Sequence, residues 1–211
     1  MELIHGINLI ADGDMVLQHR RMTGREFEAK CVAAWQGAGF GVYIDLGAYT
    51  GLYSIIAAKN GRRVVAFEPN PACFNRLLEN IEANDVAGID AHRIAASDRS
   101  GSGMLSVNST KISSGGSLAK TTDKQIPAKL ERLDDMIDLS TPVAAIKIDV
   151  EGHECEALAG AFTILTLWRP LLITEALTPA AQDQQAAILE PLGYHVAEKE
   201  AQNLIWTTEI C

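Results

Sequence analysis

Apolar positions along this chain fall into two rhythms. Short apolar runs of strand length begin at Val42, Val64, Val143 and Leu171, and the stretches between them repeat their apolar residues at helical spacing. That alternation predicts βαβ units, hence an α/β fold with a doubly wound, mostly parallel sheet. Core strands are expected at Val42–Leu46, Val64–Phe67, Val143–Val150 and Leu171–Ala176, with a weaker one at Asp90–Ala95. A helix is expected over Leu52–Asn60, stopped by Gly61, and another from Pro71 to about Asn84. Asn70 can cap the latter, and proline at a first helical position forfeits no hydrogen bond. Further helices are expected from about His153 to Leu165 and from Pro179, and GYHVAEK with NLIWTTEI reads as a closing antiparallel pair.

Two segments depart from this rhythm. Residues 1–38 read as an extension: a hairpin within GINLIADGDMVLQ turning at Asp12 and Gly13, then a helix from about Gly24 to Gln36. Thr23 and Glu26 have capping-box spacing ahead of it, and Phe27, Cys31, Ala34 and Trp35 share its apolar face. Between Gly101 and Leu133, MLSV and IPAKLE form an inserted β-hairpin whose connection is rich in Ser, Thr, Gly and Lys. That connection reads as a mobile surface loop, with Gly115 and Gly116 permitting closure over a bound molecule. Trp35, Trp168 and Trp206 sit in apolar surroundings and are expected in the core.

Composition narrows the class. The 211 residues, 47% hydrophobic, suit one domain spanning 1–211, its core from residue 39 onward. Eighteen basic against 27 acidic residues give a net charge of −9, and no basic block is present to follow a phosphate backbone, so nucleic acid is not an expected partner. Cys31, Cys73, Cys155 and Cys211 form no CxxC pair and are expected as reduced thiols. The segment MELIHGINLIADGD is too charged for a signal peptide, and no window reaches a membrane-spanning length. A cytoplasmic protein without membrane contact is the expectation.

Chemistry concentrates where strands end. In VYIDLGAYTGLYS, Gly47 and Gly51 occupy the turn from the first core strand into its helix, where backbone N–H groups and the helix dipole favour a ligand. Glu68 ends the second strand about 20 residues further on, the place from which an acid accepts ribose hydroxyls. An adenosine-containing cofactor follows. A dinucleotide fingerprint would carry three glycines as GxGxxG, whereas GAYTG is one short and is preceded by Asp45. A carboxylate there repels a pyrophosphate but suits the sulfonium and amino group of S-adenosylmethionine. A nicotinamide-dependent oxidoreductase is therefore the second reading, and a protein that binds S-adenosylmethionine without turnover the third. The (N/D)PP(Y/F) motif of base N-methyltransferases is missing.

Taken in order, YIDLGAYTGLYS, VVAFEPNP and AIKIDVEGHE with a following LAGA resemble the FkbM family of S-adenosylmethionine-dependent methyltransferases, over roughly Glu28 to Glu175. The resemblance implies a class I, Rossmann-like methyltransferase fold with a seven-stranded sheet and O-methylation of sugars or natural-product scaffolds. It also implies that Asp45, Gly47 and Gly51 surround the methionine part of the cofactor, that Glu68 takes the ribose, and that Asn70 lies near the adenosine. Ser97 and Asp98, after the third strand, are implied at the adenine. Where the commoner pattern is GANxG, this chain has Tyr49.

A hydroxyl acceptor must also lose a proton, and Asp149, Glu151 and His153 supply groups for that at the end of the fourth strand, with Glu175 beside them on the fifth. Asp149 also borders the expected cofactor site. Lys147, Asp149 and Glu151 share one strand face, and a buried Lys147 needs a carboxylate partner. Asp149, Glu151 and Glu175 are oxygen donors of the kind magnesium takes, but no other spacing supports a metal, and none is expected. The acceptor is expected to be a small molecule or glycan. A chain this short leaves its specificity to the N-terminal segment, the serine-rich loop or a partner subunit, a homo-oligomer included.

Overall fold

In a computed structural model, residues 2–10, 28–107, 117–118 and 124–208 are described. A seven-stranded sheet runs through them. Its strands are β3 (Val42–Leu46), β4 (Val64–Phe67), β5 (Ile89–His92), β9 (Val143–Ile148), β10 (Leu171–Glu175), β11 (His195–Glu200) and β12 (Asn203–Thr207). The order is β11-β12-β10-β9-β3-β4-β5, with β10, β9, β3, β4 and β5 parallel and β12 antiparallel to both its neighbours. The chain starts in the middle at β3, proceeds outward through β4 and β5, then returns to lay β9 on the other side. That reversal opens a crevice at the carboxyl ends of β3 and β9, the position where such sheets bind ligands.

Helices α1 (Ala29–Gly37), α2 (Leu52–Lys59), α3 (Pro71–Ala83), α4 (Leu133–Met136), α5 (Glu154–Gly160), α6 (Phe162–Trp168) and α7 (Pro179–Leu189) cover the sheet. Period two sorts the strand residues between two cores. Ile44, Leu46, Ile146, Ile148 and Leu172 pack on one face with α5 and α6. Tyr43, Ala145, Ile173 and Ile205 pack on the other with Trp35 of α1 and Ile55 and Ile56 of α2. Asp45 and Lys147, paired in register on β3 and β9, belong to this second face at its ligand end. Trp35 and Trp206 are buried and Trp168 is half-buried, each indole N–H donating to the protein, so the tryptophans belong to the core as expected.

Elements differ from the sequence expectation in four places. The N-terminal hairpin joins β1 (Glu2–Ile4) to β2 (Ile7–Leu9) through His5 and Gly6, both at positive φ as a tight hairpin turn requires; the expected turn at Asp12 and Gly13 lies outside the described residues. Helix α1 begins at Ala29, and the expected capping box at Thr23 and Glu26 also lies outside them. The weak third strand divides: β5 joins the main sheet, while β6 (Ala95–Ala96) pairs with β8 (Lys124–Glu131) and β8 with β7 (Gly101–Val107) in a separate small sheet. The helix expected over 153–165 is interrupted at Ala161. Gly160 is pressed so closely on the strand that follows β5 that a Cβ would stand 1.9 Å from the Ser97 carbonyl oxygen.

Asn70 caps α3, accepting from the Ala72 N–H at 3.0 Å with Pro71 at the first helical position. Gly51 opens α2 at φ +93, and a Cβ there would meet Leu77 Cδ1 at 2.5 Å. Gly51→Ala is expected to cost about 1–3 kcal/mol from the left-handed backbone and the displaced leucine, read as a lower urea midpoint.

Candidate functional site

At the carboxyl ends of β3, β4, β9 and β10 lies a cavity of about 450 Å³. Its wall carries carboxylates from four strand ends: Asp45 near the end of β3, Glu68 after β4, Asp149 and Glu151 after β9, and Glu175 at the end of β10. Gly47, Asn70, Lys147 and His153 also line it. A cavity so rich in acids, with Lys147 among them, is built for a ligand that is cationic and rich in hydroxyl donors. The volume of the cavity falls within the range of small-molecule sites.

Asp45 is 1% exposed and accepts from Ser54 Oγ at 2.6 Å. Burial raises its pKa, against the opposing pull of Lys147 and Ser54. Glu68 accepts one backbone N–H on each oxygen, from Tyr49 to Oε2 and from Asn70 to Oε1, both at 2.8 Å. These bonds pin the two loops that flank it and leave each oxygen a lone pair directed elsewhere. Burial pushes the Glu68 carboxyl up to about 8 despite them. Tyr49 holds its N–H in place at φ 52, a left-handed conformation in which asparagine is at less strain. This gives a backbone reason for the commoner asparagine.

Gly47, at φ +79, is close to the neighbouring strand end: a Cβ would stand 1.9 Å from the Asp149 carbonyl oxygen. Its glycine is required by the approach of the two loops that form the cavity floor. Gly51 does not line the cavity; its packing on Leu77 accounts for it. Nor do Ser97 and Asp98. Ala95 and Ala96 face the cavity, and Ser97 turns away, its Oγ 3.1 Å from His153 Nε2 and also donating to Asp98 Oδ1 at 3.1 Å.

Lys147, 5% exposed, donates to Asp149 Oδ2 at 2.7 Å and lies 4.8 Å over the Tyr53 ring, which makes it the ion-paired lysine expected of a buried strand. Burial works to lower its pKa, but Asp149, Glu28 and Asp45 together hold it above the ordinary lysine value. His153 is bracketed by Ser97 at Nε2 and by Glu156, 3.4 Å from Nδ1, and burial keeps its pKa below the usual value. Glu151 stands at φ 56 followed by Gly152 at φ 100, a costly turn fixed by the Glu154 carboxylate, which accepts from the N–H groups of Val150 and Gly152. Glu175 is held by its own backbone: Gln185 Nε2 donates to its carbonyl while Gln185 Oε1 takes the Thr174 hydroxyl. Its Oε2 is buried with no hydrogen-bond partner among the described residues, and burial, reinforced by Asp149, Glu151 and Glu154, pushes the carboxyl up to about 8. Among the described residues, no group of three or more His, Cys, Asp or Glu side chains is spaced to hold a metal ion.

Several wall residues were not foreseen. Leu105 of β7 and Leu118 bring the small sheet to the cavity, Gln202 comes from the β11–β12 turn, and Glu28 comes from the N-terminal extension. Most of the expected surface loop, residues 108–116 and 119–123, lies outside the described residues. Its described part is not a surface: Ser117 is 1% exposed and donates to the Glu151 carbonyl at 2.7 Å. Cys31 and Cys73 are buried and Cys155 half-buried, while Cys211 lies outside the described residues. No helix among the described residues is long and apolar enough to cross a membrane.

The sequence profile of the methyltransferase FkbM domain matches residues 45–200. Over 118 residues the chain is 31% identical to the hexuronic acid methyltransferase AglP of Haloferax volcanii, covering 55% of this chain and 48% of that one. It is 25% identical over 197 residues to methyltransferase sdnD of Sordaria araneosa, covering 75% of each. The crystal structure of a methyltransferase FkbM from Methylobacillus flagellatus KT has a TM-score of 0.58 at 19% identity, over 94% of this chain and 56% of that one. At 13% identity the product of gene MT0146 of Methanobacterium thermoautotrophicum, a precorrin 8w decarboxylase, shares the fold with a TM-score of 0.57, over 98% of this chain and 99% of that one. This chain thus spans about half the length of the archaeal relative and of the solved FkbM structure.

Proposed function

This chain belongs to the methyltransferase FkbM family, and from that premise we propose that it methylates a hydroxyl of a sugar, glycan or natural-product small molecule, with S-adenosylmethionine as donor. The observation that carries the reading is the acidic cavity at the switch point of the sheet, where Glu68 keeps a lone pair on each oxygen and Asp45 lies buried on the adjacent strand. When bound, S-adenosylmethionine supplies a methyl carbon on a cationic sulfur, open to in-line attack by an oxygen.

The protein's part is to hold the reactants and take a proton. Asp45 and Asp149 place negative charge beside the positive end of the cofactor, and Glu68 takes the ribose. Asn70 borders the adenosine. Of the four groups near the acceptor, Asp149 is engaged by Lys147 and both His153 nitrogens face protein partners. Glu151 stands at φ 56 in the turn that the Glu154 carboxylate fixes. Glu175 has the unpartnered oxygen and a pKa suited to a base near neutrality. We assign it the acceptor proton, with Glu151 and His153 shaping the acceptor position.

The relative named for hexuronic acid places sugars first among acceptors to try. Incubation with methyl-labelled S-adenosylmethionine and a series of glycosides is expected to give label stable to mild alkali, as an ether is. Label released by alkali as from an ester, or found on nitrogen, would contradict hydroxyl methylation, and no transfer by a protein that binds the cofactor would favour a non-catalytic binding role.

A further inference from the structure

A helix start leaves backbone N–H groups that need an acceptor, and the residue before the helix ordinarily supplies it. Before α1 that residue is Glu28, and among the described residues its side chain makes no capping bond. The first-turn N–H groups of Lys30 and Cys31 donate instead to Glu200 Oε2 of β11, at 3.0 and 2.9 Å. Glu28 meanwhile sits at φ 47, a left-handed conformation unfavourable for a side chain of its size. Its carboxylate is turned into the cavity, where Oε2 accepts from the Tyr53 hydroxyl at 2.6 Å. The capping duty has passed to a distant strand, and the strained residue faces the ligand.

Its surroundings fix which part of a ligand it meets. Glu68, at the end of β4, marks the ribose end. Glu28 acts from the opposite side of β3, on the group around Lys147: Lys147 lies over the Tyr53 ring, whose hydroxyl Glu28 holds, and its charge feels Asp149, Glu28 and Asp45. One ammonium paired with Asp149, beside its sheet neighbour Asp45 and over the Tyr53 ring that Glu28 holds, complements the end of a molecule that carries one carboxylate, one ammonium and a sulfonium.

We infer that Glu28, contributed by the N-terminal extension and outside the matched residues 45–200, binds the α-ammonium of the cofactor's amino-acid end. The inference rests on the proposed S-adenosylmethionine reading. Lys147 is the complementary group for the α-carboxylate, and the Tyr53 hydroxyl orients Glu28 between them. Residues upstream of the family domain thereby complete its cofactor site.

The test compares two ligands that share the thioether and adenosine but differ in the amino-acid end. S-adenosylhomocysteine has it, and 5′-methylthioadenosine does not. In calorimetric titrations, Glu28→Gln is expected to weaken S-adenosylhomocysteine roughly tenfold or more, the usual weight of a hydrogen bond to a charged group, and to leave 5′-methylthioadenosine unchanged. An equal loss for both ligands would show a merely structural role and overturn the inference. So would no loss for either. Tyr53→Phe serves as the second variant: it keeps the Glu28 charge and is expected to weaken S-adenosylhomocysteine less than Glu28→Gln does. If the unaltered protein binds neither ligand, the proposed function itself fails, and the inference with it.

Discussion

Glu175→Gln is expected to slow methyl transfer by roughly 10²–10⁴-fold, the range associated with loss of a positioned general base, while S-adenosylhomocysteine affinity stays within about threefold. The substitution preserves shape while removing the carboxylate's charge and its ability to take a proton. The side chain ends β10 beside Asp149, where Oε2 lacks a partner and burial lifts the carboxyl to about 8. A base must be deprotonated to act, so kcat/KM is expected to rise with pH and level off above about 8, reporting the free enzyme. Glu175→Gln should lose that limb of the profile along with the rate. Unchanged single-turnover rates would move the proton to Glu151 or His153.

Above about pH 8, where the Glu68 carboxyl is ionised, Glu68→Ala is expected to weaken S-adenosylhomocysteine by about 100-fold, since two hydrogen bonds between a charged group and ribose hydroxyls contribute about 1.5–3 kcal/mol each before losses to solvent. The same carboxylate holds the Tyr49 and Asn70 N–H groups, so its removal also releases the loops on either side. Adenosine, which keeps the ribose, should lose affinity in parallel. That separates Glu68 from Glu28, whose loss is expected only with ligands that carry the amino-acid end. Equal binding by the unaltered protein and Glu68→Ala would remove the ribose from this position.

Local pattern carried most of the fold. Five parallel strands, their intervening helices and the closing antiparallel pair each rest on a run of residues contiguous in the chain, and burial on both faces makes such strands nearly continuous apolar stretches. Asp45 and Glu68 were legible for a related reason: each interrupts polar chemistry onto the end of such a run, where the topology puts ligands. Glu28, Leu105, Leu118 and Gln202 were not, because the elements carrying them reach the cavity only through tertiary packing. Ser97 and Asp98 do not line the cavity, since Ala95 and Ala96 face it and the Ser97 hydroxyl meets His153 instead. The break at Ala161 had one signal, Gly160 within a helical pattern, whose cause is contact with a strand far away in sequence. The register of Lys147 against Asp45 needed the sheet order, yet its pairing with Asp149 followed from strand periodicity alone.

On the proposed reading, the carboxylate-lined cavity at the ends of β3, β4, β9 and β10 takes an adenosylated sulfonium cofactor. A calorimetric titration of the unaltered protein with S-adenosylhomocysteine, run beside NAD at the same pH and salt, tests this most directly. Saturable binding of S-adenosylhomocysteine at one site per chain, with a Kd of about 1 μM and no heat from NAD, is the expected result. Binding of NAD with none of S-adenosylhomocysteine would contradict it, and would assign the turn at Gly47 to a pyrophosphate after all.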